Sequence, residues 1–257
     1  MKHDTKIKIE FAKQAQSFGN QGLTLSSQEY LAWAVDILPL RPEFRVLDVA
    51  AGTGHLSRAI APRVRVVVAF DMTAEMLEEA RKESEKRGLK NVELMLGNAK
   101  RLPYQQDSFD MVVSRLSLHH FEKPEVQLRE MVRVCKKNHI VGIIDLLSPD
   151  AEELIQPYNR LERLRDPSHT IALTRKQLVS AMEASGLSIQ RIDARDIVVD
   201  FQQWTDLTKT PPQSKDTIKQ ELEHEINGGP LTGMRPYLEE GNLKFLHTWS
   251  VVIGLKH

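Results

Sequence analysis

The feature that most limits the fold is a rhythm: between Arg45 and Leu147, short apolar runs alternate with stretches spaced like amphipathic helices. Strand-like runs fall at residues 45–50, 64–70, 92–96, 109–114 and 140–146. Residues 73–87 and 125–134 carry apolar side chains at helical spacing, with Thr73 placed as an N-cap and Gly88 as a C-terminal stop. Strands joined through helices in this way need right-handed crossovers. The expected architecture is therefore α/β, a doubly wound parallel sheet whose ligand lies at the strand carboxyl ends.

The first strand-like run opens VLDVAAGTGHLS, residues 46–57. Val46, Leu47 and Val49 supply an apolar strand, Gly52 and Gly54 let the turn approach a ligand without a Cβ, and residues 55–63 read as the following helix. A dinucleotide fingerprint needs a third glycine where this chain has Ser57, which weakens a pyrophosphate reading. Asp48 interrupts the apolar strand, and burying it there requires hydrogen bonds, so it is expected to order the turn and to meet a ligand's ammonium group. Asp71 ends the second strand about 20 residues past the glycines, a place from which a carboxylate accepts ribose hydroxyls in either cofactor class. After the third strand, Asn98 offers a donor and an acceptor to an adenine edge and Ala99 a backbone N–H, while Met72 is placed against the ring face. The fourth strand brings Arg115, between Ser114 and Leu116, to the same edge. Four consecutive strand ends thus suit one elongated molecule.

Ahead of this core, residues 28–38 read as an amphipathic helix and residues 11–18 as a helical or irregular arm. Beyond it, residues 149–165 form a charged helix and residues 165–170 a connection. Thr174, with Gln177 completing a capping box, opens a helix that runs to about Ser185. Residues 187–201 suit a strand. Residues 208–241, with four prolines and many charges, suit a helical insertion or lid over the sheet edge, and residues 243–255 a final strand. The expected organisation is one domain, 1–257: arm 1–40, cofactor core 41–147, substrate and lid region 148–242, and terminal strand 243–257.

His119 and His120 follow the fourth strand at the ligand edge, where an imidazole can take a proton near neutral pH; both are candidate catalytic bases. They lack carboxylates at ligand spacing, so no metal is implied. Arg160, Arg163, Arg165, Asp166 and His169 read foremost as a solvated helix face and secondarily as a surface for an anionic or phenolic acceptor. Trp33, Trp204 and Trp249 are scattered and read as core packing.

Thirty-five basic side chains balance 35 acidic ones, so there is no net basic field of the kind that binds nucleic acid, and the expected partner is a small molecule. Cys135 is the sole cysteine, which rules out an intramolecular disulfide and fits a reducing compartment. Residues 1–16 are charged, without the apolar centre of a signal peptide, and no apolar run approaches the roughly 20 residues of a spanning helix. A cytoplasmic protein with no membrane span is expected.

VLDVAAGTGHLS, the FDMTAEML run at 70–77, GNAKRLP at 97–103 and DSFDMVVSRLSLHHF at 107–121 together resemble class I S-adenosylmethionine-dependent methyltransferases. Within them the chain is most similar to the type-11 group, which includes the ubiquinone and menaquinone C-methyltransferases. An FAKQAQSFG arm and the ending VVIGLK are similar as well. The resemblance implies a Rossmann-like seven-stranded sheet with an antiparallel last strand, and S-adenosylmethionine as cofactor. It implies that Gly52, Thr53 and Gly54 cradle the methionine part, Asp71 the ribose, Met72, Asn98 and Ala99 the adenine, and Arg115, through its backbone, the amino-acid end. It also implies methyl transfer to a small-molecule acceptor at carbon or oxygen. Leu118-His119-His120-Phe121 replaces the asparagine-containing run of the quinone enzymes, so a quinone acceptor is not carried over. Two other classes share part of the pattern. A nicotinamide-dependent oxidoreductase has the same turn and Asp71 but no use for the Gly97-Asn98-Ala99 segment, and a non-catalytic S-adenosylmethionine-binding regulator differs only in lacking acceptor turnover.

Overall fold

The computed structural model describes residues 3–15 and 27–257. Strands β1 (Arg45–Val49), β2 (Val66–Asp71), β3 (Val92–Leu96), β4 (Phe109–Arg115) and β5 (Cys135–Leu147) are parallel neighbours in the order β3-β2-β1-β4-β5. β8 (Asn242–Lys256) runs antiparallel between β5 and β6 (Leu187–Asp200), completing seven strands on the main path. An eighth, β7 (Tyr237–Glu239), pairs with β8 across a two-residue turn in which Glu240 and Gly241 both have positive φ, the backbone that matches hairpin twist. Its three residues are too few for the period-2 pattern that marks a strand in sequence.

Alternate residues of each central strand face opposite layers. Val46, Val67, Met111 and Ile144 pack with α2 (Gln28–Ile37), α3 (His55–Ile60), α6 (Glu152–Arg165), α8 (Phe201–Leu207) and α9 (Pro212–Ile226). Leu47, Val68, Val112 and Ile143 pack with α5 (Pro124–Val134) and α7 (Arg175–Ala184). Helices on both faces make the sheet doubly wound, and each buried Leu or Val side chain contributes about 1.5–3 kcal/mol of apolar burial. The strand order reverses between β1 and β4, and a crevice opens outside their carboxyl ends.

Several boundaries differ from those expected. β5 starts at Cys135, which pairs with Phe109 ahead of a bulge; the polar Lys136 to His139 segment is the solvated end of this strand and hides it in the sequence. β6 stops at Asp200 because that side chain accepts the Gln203 N–H at 2.9 Å and caps α8. The arm helix α1 runs His3–Gln14, earlier than residues 11–18, whose last three lie outside the described residues. The capping box is present, with Gln177 N–H donating to Thr174 Oγ1 at 3.2 Å and Thr174 N–H to Gln177 Oε1 at 2.9 Å. Thr73 precedes α4 (Ala74–Lys86) without capping it by its side chain. No described helix is long and apolar enough to cross a membrane.

Candidate active site

The turn after β1 is held open by its backbone. Ala50, Gly52 and Gly54 all have φ between 55° and 75°, the left-handed region that an L side chain enters at a cost. A Cβ built on Gly52 would meet nothing within 4 Å, so this glycine faces open space. Its N–H donates to Asp71 Oδ2 at 2.8 Å while Thr73 N–H donates to Asp71 Oδ1 at 2.9 Å. Asp71 thereby ties the β1 turn to the start of α4. Burial raises its pKa against the backbone donors and the Thr73 hydroxyl.

Asp48 is buried and accepts the Ser57 hydroxyl on Oδ2 at 2.6 Å. Ser57, where a dinucleotide site has glycine, therefore holds the strand carboxylate in place. The other oxygen, Asp48 Oδ1, has no hydrogen-bond partner, and neither has the buried Thr53 Oγ1. Unpartnered buried polar atoms are costly, so two of them beside an open glycine suit a polar ligand that satisfies both. Burial pushes the Asp48 carboxyl up to about 7, against the Ser57 hydrogen bond and the Arg115 charge.

Arg115, at the end of β4, lines the same cleft, with its guanidinium 5.5 Å from the Trp249 ring centroid. Burial draws its pKa down to about 10, opposed by Asp48 and Asp145. Past it the chain turns sharply at Leu116, with φ 51°, into a short 3-10 helix, Leu118–His120. Asp145 on β5 braces this turn. Its Oδ2 accepts the Ser117 and Leu118 N–H groups at 3.2 and 2.7 Å, and its Oδ1 lies 2.5 Å from His119 Nδ1. With Nδ1 engaged, Nε2 is the nitrogen of His119 left for proton transfer. His120 differs: its Nδ1 lies 3.1 Å from Ser168 Oγ, and its carbonyl accepts His3 Nε2–H at 2.7 Å. Burial and then the neighbouring His119 hold the His120 pKa below its ordinary value, so this ring is neutral at pH 7.

Both histidines line a cleft of about 1110 Å³ including its open mouth. Leu116, Leu146, Val199, Trp204, Leu207 and Trp249 form its apolar wall. Trp204 and Trp249 are thus core residues that also border the cleft, whereas Trp33 donates from Nε1 to Asp193 Oδ1 at 3.0 Å. The charged cluster expected as a solvated face divides. Arg160 pairs with Glu221 at the surface and Arg163 donates to the Thr170 carbonyl, but Asp166 and His169 are buried and Arg165 lines the cleft. α6 turns one face to solvent and the other to the sheet, and its C-terminal end points inward. Glu162 there lies 2.8 Å from His247 Nε2, off the hydrogen-bond direction, and 3.6 Å from Arg165. Burial opposes the Glu162 charge, yet His247 and Arg165 outweigh it and keep the carboxyl well below its ordinary range.

A second hollow, of about 320 Å³, adjoins the first across Ala50. Met72, Asn98 and Ala99 line it, together with Phe121 and two residues of α1, Asp4 and Ile7. Asn98 is engaged at both ends of its amide: Oδ1 accepts the Lys100 N–H at 2.9 Å and Nδ2 donates to Asp4 Oδ2 at 3.0 Å. Gly97 is required for its size, since a Cβ there would lie 2.4 Å from the Phe70 ring. Asp145, Asp4, Glu162 and His247 border the candidate site and were not singled out from the sequence. A lone aspartate in the apolar run IVGIIDLL was a usable signal for the first, identical in kind to Asp48.

Residues 40–215 match the methyltransferase domain family. The chain belongs to that family. It is a class I, S-adenosylmethionine-dependent methyltransferase of the type-11 group, as the sequence motifs imply. It is 30% identical over 214 residues to the uncharacterized methyltransferase YcgJ of Bacillus subtilis (strain 168), covering 83% of this chain and 84% of YcgJ. The crystal structure of YcgJ superposes with a TM-score of 0.82 over 90% of this chain and 99% of that one, at 28% identity. A demethylmenaquinone methyltransferase of Listeria monocytogenes (serovar 1/2a) is 29% identical over 162 residues, covering 61% of this chain and 68% of the enzyme. At 12% identity and a TM-score of 0.64, geranyl diphosphate methyltransferase in complex with SAM shares the fold over 93% of both chains.

Proposed function

We propose that this methyltransferase, as a single domain, moves a methyl group to the carbon or oxygen of a small molecule held in the larger cleft between the β4 exit, α6, α8 and β8. The observation that carries this reading is the pair of unpartnered atoms, Asp48 Oδ1 and Thr53 Oγ1, beside the open Gly52 turn, in a cleft that continues into a chamber walled by Trp204 and Trp249. Gly52, Thr53 and Gly54 with Asp48 and Arg115 would hold the amino-acid end of S-adenosylmethionine. Asp71 would take the ribose and Met72, Asn98 and Ala99 the adenine. When bound, the cofactor supplies an electrophilic methyl on a sulfonium.

The chain's own contribution is positioning, dryness and a proton acceptor. Apolar walls exclude water and fix the acceptor, the larger share of rate in such a transfer. His119 would take the acceptor's proton on Nε2, with Asp145 fixing the tautomer through Nδ1 and stabilising the charge that forms. His120, kept neutral by burial, is the second candidate base. Methyl-labelled S-adenosylmethionine incubated with the protein and a metabolite extract is expected to label one small molecule, identified by mass. Replacing both histidines by glutamine is expected to abolish labelling with S-adenosylhomocysteine binding retained. Unchanged turnover in that double variant contradicts the base assignment, and binding without any labelled product contradicts small-molecule methylation.

A further inference from the structure

The hollow assigned to adenine is closed on one side by α1, and the group that α1 inserts there is a carboxylate. We propose that Asp4 is a cofactor-binding residue that accepts the 6-amino group of the adenine, so that the N-terminal helix reads the base. This inference rests on the donor site proposed above and adds to it a residue from outside the strand ends.

The argument is one of donors and acceptors. A 6-aminopurine edge presents an N–H donor beside a ring-nitrogen acceptor, so a complementary wall must offer one acceptor and one donor. Asn98 Oδ1 is already committed to the Lys100 N–H, which leaves the asparagine mainly a donor, and its Nδ2 donates to Asp4. The carboxylate that lines this hollow beside it belongs to Asp4, whose Oδ2 takes Asn98 and whose Oδ1 takes Lys100 Nζ at 2.6 Å. A carboxylate accepts about four hydrogen bonds, so both oxygens keep capacity for an amino group. Asp71 also lines the hollow, but it accepts the Gly52 and Thr73 N–H groups and is the residue proposed above for the ribose.

Asp4 also stays charged. Partial burial works against its ionisation, but the Lys100 and Asn98 hydrogen bonds outweigh it and hold the carboxyl below its ordinary value. Its position is fixed by more than the ion pair with Lys100. Ile7 and Gln14 on the same helix are buried, and His3 donates to the His120 carbonyl. A helix docked at both ends over the two hollows presents Asp4 at a defined place, and a fixed acceptor discriminates between donor and acceptor ligands where a mobile one does not.

Calorimetric titration of the full-length protein with S-adenosylhomocysteine and with S-inosylhomocysteine, which carries a 6-oxo group in place of the amine, tests the assignment. The wild-type protein is expected to prefer the amino compound by about 10-fold or more. Asp4→Ala is expected to lose about 10-fold in affinity for S-adenosylhomocysteine and most of that preference. Lys100→Met breaks the ion pair that helps dock α1 but leaves the carboxylate, and is expected to keep the preference. An unchanged ratio of the two affinities in Asp4→Ala, or no preference in the wild type, overturns the inference. Loss of the preference in Lys100→Met to the same degree as in Asp4→Ala also overturns it, because helix docking would then be the whole effect. Failure of the wild type to bind S-adenosylhomocysteine at all contradicts the donor site itself.

Discussion

The two halves of the cleft are built on different principles. At the ends of β2 and β3 two polar side chains are anchored to backbone: Asp71 holds the Gly52 and Thr73 N–H groups, and Asn98 holds the Lys100 N–H. On the side of α6, α8 and β8 several buried polar atoms sit among aromatic rings without hydrogen bonds. Tyr158 Oη, Trp204 Nε1 and Trp249 Nε1 are buried without partners, and Glu162 meets His247 off the hydrogen-bond direction. A site whose geometry is set by backbone can be shared by every member of a fold. One set by side chains on late elements can change with the acceptor. Asp145 stands between the two, with three of its contacts to backbone N–H groups and one to His119.

The largest effect is expected where the halves meet. Asp145→Asn should lower kcat by about 100-fold or more while leaving S-adenosylhomocysteine affinity within about 3-fold. Steady-state kinetics together with calorimetry checks this, and equal losses in both quantities would make Asp145 a brace of the turn alone. Next, Asp71→Ala removes the acceptor of two backbone donors and of the expected ribose hydroxyls. Affinity for S-adenosylhomocysteine should fall about 10- to 100-fold.

Asp48 gives the cofactor half a pH signature. Its carboxyl is raised from 3.8 to about 7 in the folded protein. The folded state therefore binds this proton more tightly than the unfolded chain does, and its contribution to stability falls as pH rises between those values. A ligand ammonium group needs the ionised form, so S-adenosylhomocysteine affinity should rise about 10-fold from pH 6 to pH 8. Asp48→Asn should flatten that rise, and an unchanged slope would assign it to another group. In the acceptor half, Glu162→Gln should raise the acceptor KM about 3- to 10-fold with cofactor affinity unchanged, as measured once the acceptor is in hand. The smallest effect belongs to Ala50, held at φ 56°. Ala50→Gly should change stability by less than about 1 kcal/mol, with relief of strain set against a freer unfolded chain, and thermal unfolding reads the sign.

The same contrast explains what was legible in the amino-acid sequence. The Gly52 turn, Asp71, Asn98 and Arg115 all lie at strand ends, where a period-2 run followed by a helix fixes their placement, and the structure brings them to one edge. Asp48 was legible because a charge inside an apolar strand needs a reason. Asp145 carried the same signal, but its partner His119 lies 26 residues away on another element. The Asp4–Asn98 bond joins residues 94 apart, and no local spacing encodes a contact of that kind. α6 misled for a related reason: its charges look alike in sequence, and the partners that Arg165 and Glu162 meet, Trp204 and His247, lie on distant elements.

The most direct test of the account is calorimetry of S-adenosylhomocysteine binding to the wild-type protein and to Gly52→Val, in which a side chain would fill the open space at the turn. The account predicts one S-adenosylhomocysteine per wild-type chain, displaced by S-adenosylmethionine and not by NADH, and no detectable binding to a Gly52→Val protein that retains wild-type circular dichroism. Undiminished binding to Gly52→Val, or displacement by NADH, would contradict it.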